Sequence, residues 1–416
     1  MEKKKLIWIV NYHTSSPELA TNPRYLEFAH YFQKVGYDVI TFNSSVKHEM
    51  DIDLIPDGSK FYEKQYGEYR FIHVKSPHYK GNGIKRMWSL FVFAWRMFIH
   101  CKKLPRPDIV LHNVHTPFDY PISWCAKRVH AKYVVEAWDL WPRAFENYGL
   151  VKKGSMVMKV AYAIEKHLYK KADDIIFTME GGIDYLRDHK WTSDLGGPIT
   201  LEKIHYINNG INLENFSLNC KAHPRFDFDL NNPDIYKIVY MGSVQMINHV
   251  KELIDAVALL KDFAKYRLFI YGDGSDRQFL EEYVKENHIS NVIFKEKRIP
   301  YEDCAWVVSQ SKVNVINYEN GFGHYGASSG KLFLYLAAGK PICCNIKLNY
   351  SLISKYNLGV EGCLDTPEQY ANAIRFLAEQ SEEEYEAMCQ RVRSCAQQFD
   401  YKNLATKELE ILERSN

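Results

Sequence analysis

Short apolar strands alternate with helix-forming stretches along almost the whole chain, and this rhythm restricts the fold more than any other feature of the sequence. Leu6–Val10 reads as a buried strand, Arg24–Val35 as a helix stopped by Gly36, and Val39–Phe42 as the next strand. The pattern continues through Phe71–Val74, an aromatic helix, Ile109–Leu111, a helix over Ile122–Val129, Tyr133–Glu136, a helix from Ser155 to Lys171, Asp174–Thr178 and Ile204–Ile207. Each helix carries the chain back across the sheet, so successive strands run parallel and helices cover both faces. Around Leu213–Pro233 the text turns loop-like, with Asn215, Asn219, His223-Pro224 and Asn231-Asn232-Pro233. The rhythm then restarts: strands Ile238–Met241, Arg267–Tyr271, Val292–Phe294, Val313–Ile316 and Pro341–Cys344 alternate with helices Val250–Lys261, Asp276–Asn287, Tyr301–Gln310 and Lys331–Ala338. An acidic helical region runs from Thr366 to the end. The expectation is an α/β chain of two Rossmann-like, doubly wound domains facing across a cleft, where such sheets bind ligands.

Length and charge agree with two domains. At about 150 residues per domain, 416 residues make two the natural number and leave three open. A net charge of +2 excludes a chain that is basic throughout, built to wrap nucleic acid. The nine cysteines are odd in number, and no C-x-x-C pair or zinc-spaced histidine accompanies them, which predicts reduced thiols and no metal site. Met1–Lys5 resembles the basic start of a leader, but Leu6–Val10 is too short for its apolar region. No stretch approaches the ~20 apolar residues of a membrane span. The expectation is a cytoplasmic protein.

One segment is uneven. Lys75–Pro107 holds eight Lys or Arg and no Asp or Glu, with Trp88, Phe91, Val92, Trp95 and Phe98 at helical spacing. Two readings stand: a core helix with basic flanks, or a helix lying in an anionic membrane surface with its aromatics down.

Chemistry is concentrated at strand ends. Gly242-Ser243 closes one strand and Gly272-Asp273-Gly274 the next; glycine admits a close backbone approach, and a following helix N-terminus attracts a diphosphate. Gly321–Gly326 is a literal G-x-G-x-x-G, but it lies late in the chain and several residues intervene before the helix. A loop around an anionic ligand ending in Ser328-Ser329-Gly330-Lys331 fits better than a dinucleotide fingerprint. In the first half, Val134–Arg143 closes a strand with Glu136, Trp138, Asp139 and Trp141. The carboxylates can accept from sugar hydroxyls and an indole offers a sugar platform; alternatively Asp139 simply caps a proline turn. His13 and the Asn22-Pro23-Arg24 loop reach the same rim, and His13 is either a base or a loop residue. Asp51-Ile52-Asp53 reads as a chance D-x-D.

Taken together, Tyr240–Ser243, Gly272–Gly274, the run from Ser329 to Pro341 and Glu136–Pro142 resemble the family 4 glycosyltransferases of the GT-B fold, nearest their bacterial cell-surface polysaccharide branch. Glu165–Asp173 and Ile207–Asn212 support the resemblance, which runs through nearly the whole chain. It implies an acceptor-side domain over 1–213, a nucleotide-sugar domain over 214–395 and a terminal helix over 396–416 that crosses back. It also implies retaining hexosyl transfer from a UDP- or GDP-linked sugar, without metal or other cofactor, to a lipid-linked glycan in surface polysaccharide assembly, such as lipopolysaccharide or capsule. The enzyme would then be peripheral at the inner face of the plasma membrane, touching it through Lys75–Pro107.

By the resemblance Asp139 is catalytic. The donor would meet Gly242, Ser243, Gly272, Asp273, Gly274, Arg298, Glu319, Tyr325, Ser328, Ser329, Gly330 and Lys331, and the acceptor His13, Arg24, Glu136, Trp138 and Trp141. The family's two donor-side glutamates fall at Gly326 and Leu334 here, which leaves Glu319 as a substitute carboxylate. Its Arg and Lys after the first glycine are Ser243 and Asn248, so neutralising a diphosphate passes to Lys331 and Arg298. The rival functions are a nucleotide-sugar epimerase and a non-catalytic nucleotide- or sugar-binding partner of a transferase.

Overall fold

A computed structural model describes residues 4–19, 23–47, 52–81, 83–147, 149, 151–260, 265–318 and 323–414. Glu319, Gly321, Phe322 and Asp51 lie outside the described residues. The chain forms two compact units: 1–208 with 401–416, and 209–400. The sequence reading set these crossings after 213 and after 395.

The first unit carries β1 (Leu6–Val10), β2 (Asp38–Ser44), β3 (Phe61–Tyr66), β4 (Tyr69–Val74), β5 (Ile109–Asn113), β6 (Lys132–Ala137), β7 (Asp174–Phe177) and β8 (Ile204–Tyr206). They form one sheet in the order β3-β4-β2-β1-β5-β6-β7-β8. Every pairing is parallel except β3 with β4. That edge hairpin corrects the expectation of a wholly parallel sheet. β3 mixes polar and apolar residues and stays largely half-exposed, so it lacks the apolar run by which the other strands are recognised. β5 and β7, by contrast, are buried at every position.

The second unit carries β9 (Tyr236–Met241), β10 (Tyr266–Tyr271), β11 (Val292–Phe294), β12 (Val313–Ile316), β13 (Ile342–Cys344) and β14 (Gly359–Glu361), ordered β11-β10-β9-β12-β13-β14 and all parallel. Both sheets reverse direction of growth at their first strand, leaving a crevice at the carboxyl ends of β1/β5 and β9/β12. Leu213–Ala222, read from sequence as loop, is a helix capped by the Asn212 side chain, which accepts from Asn215 N at 2.9 Å. None of its residues is fully buried, and only Leu213, Phe216 and Cys220 pack in part against the core, so its apolar stripe is thin among polar residues.

The last helix, Tyr401–Glu413, belongs to the first unit. Its Tyr401, Leu404, Ala405 and Leu412 join Phe28, Phe32 and Ile9 in one apolar cluster. In the second unit, Ile238, Tyr240, Leu253, Ile254, Leu268 and Ile270 form the equivalent core between sheet and helix.

Candidate active site

In the second unit, the loops after β9 and β10 continue the strand pairing. Gly242 N donates to Tyr271 O and Val244 N to Asp273 O, both at 2.9 Å. So close a passage requires glycine at two places. A Cβ on Gly272, whose φ is +137°, would stand 1.7 Å from the Gly242 carbonyl oxygen, and one on Gly274 would stand 2.1 Å from that of Val244.

Gly242 is different, because what its Cβ would meet is a side chain: Lys331 Nζ at 2.5 Å. Lys331 is in the first turn of the helix Gly330–Ala338. Its ammonium lies 5.2 Å from the Tyr240 ring centre, and no carboxylate among the described residues is within ion-pair distance. Burial pushes its pKa down to about 8. At the start of that helix Leu332 N donates to Ser329 O at 3.0 Å, the Gly330 and Lys331 N–H groups precede any intrahelical acceptor, and space is open beside Gly330. A desolvated cation, a helix N-terminus and two bare glycine loops at the ends of β9 and β10 are the elements from which anion sites are generally built.

Other expected donor residues stand around this centre in different roles. Ser243 is exposed and its hydroxyl accepts from Asn248 Nδ2 at 2.9 Å. Asp273 accepts from Gly274 N and has Lys297 at 3.8 Å. Ser328 is held by Asn209, whose N–H reaches the serine hydroxyl at 3.2 Å and whose Nδ2 reaches the serine carbonyl at 2.8 Å. Ser329 caps the Lys331 helix by position without a side-chain bond. Tyr325 is buried against His324, with ring centres 4.7 Å apart. Arg298 is exposed on the loop after β11, and no hydrogen bond or ion pair among the described residues joins it to Lys331. At the family's glutamate positions, Gly326 has φ +94° and Leu334 packs against the apolar cluster around Phe333 and Leu336.

In the first unit, the adjacent strands β1, β5 and β6 bring His13, His115 and Trp138 together beyond their carboxyl ends. The rings of His13 and His115 meet edge to face at 4.8 Å, and His115 lies 6.4 Å from Trp138. Arg86 Nη2 approaches His13 Nε2 at 3.4 Å. Asn11 Oδ1 ties the group together, accepting from His13 N at 2.8 Å and from His115 Nε2 at 3.3 Å. Burial, and secondarily the Arg86 charge, push the His115 pKa down to about 4, so it is a neutral hydrogen-bonding imidazole. Trp138 is half-buried and stacks on Tyr25 at 5.0 Å. Asp139 is open to solvent yet crowded by protein, and desolvation raises its pKa above the ordinary carboxyl value. His115 and Arg86 were missed in the sequence; His115 follows β5 as His13 follows β1, and that shared strand-end position was the available signal.

Three expected acceptor residues need correcting. Arg24 and Glu136 are completely buried, and Arg24 Nε donates to Glu136 Oε1 at 2.9 Å. The other Glu136 oxygen accepts from Trp138 Nε1 at 2.9 Å and from the Tyr25 hydroxyl. Both charges are therefore neutralised inside the unit and neither faces a ligand. Trp141 is only 2% exposed, with a buried indole N–H that no described residue accepts, so it is no sugar platform.

The basic segment folds as the helix Ile84–His100. Leu90, Phe93, Ala94 and Met97 face the core, whereas Trp88 is 57% and Trp95 40% exposed. Trp88, Phe91, Trp95, Phe98 and Trp124 form a ladder of ring contacts 5.5–5.9 Å apart. No helix among the described residues is long and apolar enough to cross a membrane.

Comparison with known proteins decides the family. Residues 23–215 match the model described as Glycosyltransferase Family 4, and residues 224–394 that described as Glycosyl transferases group 1. The chain belongs to the family 4 glycosyltransferases. Among solved structures, this glycosyltransferase is similar to a sucrose-phosphate synthase from Thermosynechococcus elongatus, at 17% identity over 98% of each chain with TM-score 0.68. It is similar to WaaG, a glycosyltransferase involved in lipopolysaccharide biosynthesis, at 14% identity over 98% of this chain and 100% of that one, TM-score 0.66. A trehalose-6-phosphate protein from E. coli bound with UDP-2-fluoro glucose matches at 10% identity over 99% and 100%, TM-score 0.74. At such identities the likeness establishes the fold, GT-B with two Rossmann-like domains. No curated protein sequence matches the chain.

Proposed function

We propose that this glycosyltransferase moves a hexosyl group, with retention and without a metal, from a UDP- or GDP-linked sugar to a lipid-linked glycan acceptor in surface polysaccharide assembly. The observation that carries the donor half is Lys331: a desolvated ammonium laid on Gly242 at a helix N-terminus, where a nucleoside diphosphate leaving group gains charge. Stabilisation by a fixed Lys and helix N–H groups supplies the electrostatic role that a cation fills elsewhere. On the acceptor side, the raised Asp139 carboxyl suits hydrogen bonding to a hydroxyl while Trp138 offers a partly open ring face. The exposed Trp88–Trp124 ladder with Lys85, Lys102 and Lys103 supports contact with an anionic membrane surface, where a lipid-linked acceptor resides.

Thermal stabilisation by UDP, GDP and other nucleotides, with and without EDTA, tests the donor half. The expected result is a shift with one nucleoside diphosphate that EDTA leaves intact and Lys331→Met removes; an EDTA-sensitive shift overturns metal independence. Binding without turnover on any lipid-linked acceptor favours a non-catalytic partner. Sedimentation with anionic vesicles tests the membrane half, with Trp88→Ser/Trp95→Ser expected to remain in the supernatant.

A further inference from the structure

The buried Arg24–Glu136 pair stands where three parts of the first unit meet. The chain leaves this unit between Asn208 and Asn209 and returns between Asp400 and Tyr401. Arg24 Nη1 donates to Asn208 O at 2.6 Å and Nη2 to Ile207 O at 3.2 Å, the last two residues before the outgoing crossing. Nη2 also lies 3.7 Å from Glu408 Oε2, on the helix that begins at the returning crossing. On its other side the guanidinium binds Glu136, whose second oxygen holds the Trp138 indole beside Asp139.

We infer that Arg24 and Glu136 are positioning residues that couple both chain crossings to the Trp138–Asp139 loop. The inference rests on Asp139 belonging to the acceptor side of the proposed reaction. A backbone change at the outgoing crossing moves the carbonyls of Ile207 and Asn208, and one at the returning crossing moves the helix that carries Glu408. A carbonyl displaced there breaks a charge-assisted hydrogen bond in a water-free interior, where its loss is costly and the guanidinium follows. The fork of Arg24 has separate donors for Asn208, Ile207 and Glu136, which a lysine ammonium cannot match in geometry. Glu136 likewise divides its oxygens, one toward Arg24 and one toward Trp138 and Tyr25, so movement of the arginine reaches the indole in one step. Packing between discrete arrangements, rather than a flexible tether, makes such a link able to act.

Amide hydrogen exchange on the full chain tests it with Arg24→Lys, Glu136→Gln and Trp138→Phe. Arg24→Lys and Glu136→Gln are expected to speed exchange about tenfold or more at 137–142 and at both 207–212 and 399–404, sparing the strands β1 and β5. Trp138→Phe, which removes the indole donor and shrinks the ring stacked on Tyr25 but leaves Arg24 and Glu136 in place, is expected to act at 137–142 alone. Turnover should follow the same split, with Arg24→Lys lowering kcat at unchanged donor KM. Loosening confined to either the loop or the crossings in both charge variants overturns the coupling, as does a uniform rise across the unit, the pattern of an ordinary core pair. If the wild type transfers no sugar at all, the proposed reaction falls while the exchange pattern still decides the coupling.

Discussion

The two halves of this glycosyltransferase treat a buried cation in opposite ways. In the first unit Arg24 is sealed from water but has Glu136 against it and backbone carbonyls around it. In the second, Lys331 is half-buried, its ammonium crowded by protein, with no described carboxylate beside it. A buried charge with its partner inside the fold holds structure together; one left without a counterion holds a place for an anion that arrives from outside. On the proposed function, that difference separates the residues that organise the enzyme from those that meet its substrate.

The largest effect expected is on catalysis. Lys331→Met should lower turnover by about a hundredfold or more, the scale of losing one charge-stabilising group, while the fold stays intact. The same variant should be more stable at pH 7 by about 2–3 kcal/mol in urea melts, because it relieves a desolvated ammonium. A loss of stability would place Lys331 with Arg24 among the structural charges. Next, Arg24→Ala should cost about 3–5 kcal/mol, since it leaves Glu136 buried and unpaired. Retained stability there would erase the contrast from the other side.

Titration sharpens the comparison. Lys331 has a folded pKa of about 8, below that of an exposed lysine, so stability should rise with pH between about 8 and about 10 as the folded group is already neutral. Nucleoside diphosphate affinity should fall over the same window, with proton uptake on binding visible by calorimetry in buffers of different ionisation heat. Glu408, crowded by burial and by Glu136, is raised well above the ordinary carboxyl range. The folded chain therefore keeps a proton that the unfolded chain releases, and stability falls as pH climbs above about 4 toward that raised value; Glu408→Gln should flatten the slope in melts from pH 5 to 8. The smallest expected effect on the fold comes from Gly242→Ala, whose new methyl group meets only the end of the Lys331 side chain. It should weaken donor binding with little change in melting temperature. Gly272→Ala, driven into the Gly242 carbonyl at positive φ, should destabilise the unit outright.

The parallel sheets were legible because the central strands carry short apolar runs, as Leu6–Val10 of β1 illustrates. The gathering of the glycine loops and Lys331 at strand ends was legible as well, since strand-end position and residue type suffice to place them there. β3 was not, because an edge strand exposed along much of its length carries no such run. Neither was the helix Leu213–Ala222, which packs only Leu213, Phe216 and Cys220 in part against the core.

What the sequence by itself determined was the alternation of the buried parallel strands with helices and hence the ends at which chemistry gathers, because burial of parallel strands writes itself into local hydrophobic runs. It could not say which charged residues at those ends are open to a substrate. Arg24 and Glu136 are 112 positions apart, and Arg24 reaches Ile207 and Asn208 over a still longer span. Only the folded chain brings those groups within hydrogen-bonding distance and turns two apparent ligand contacts into an internal pair. Pairing is a property of three-dimensional proximity, and local spacing holds no record of it.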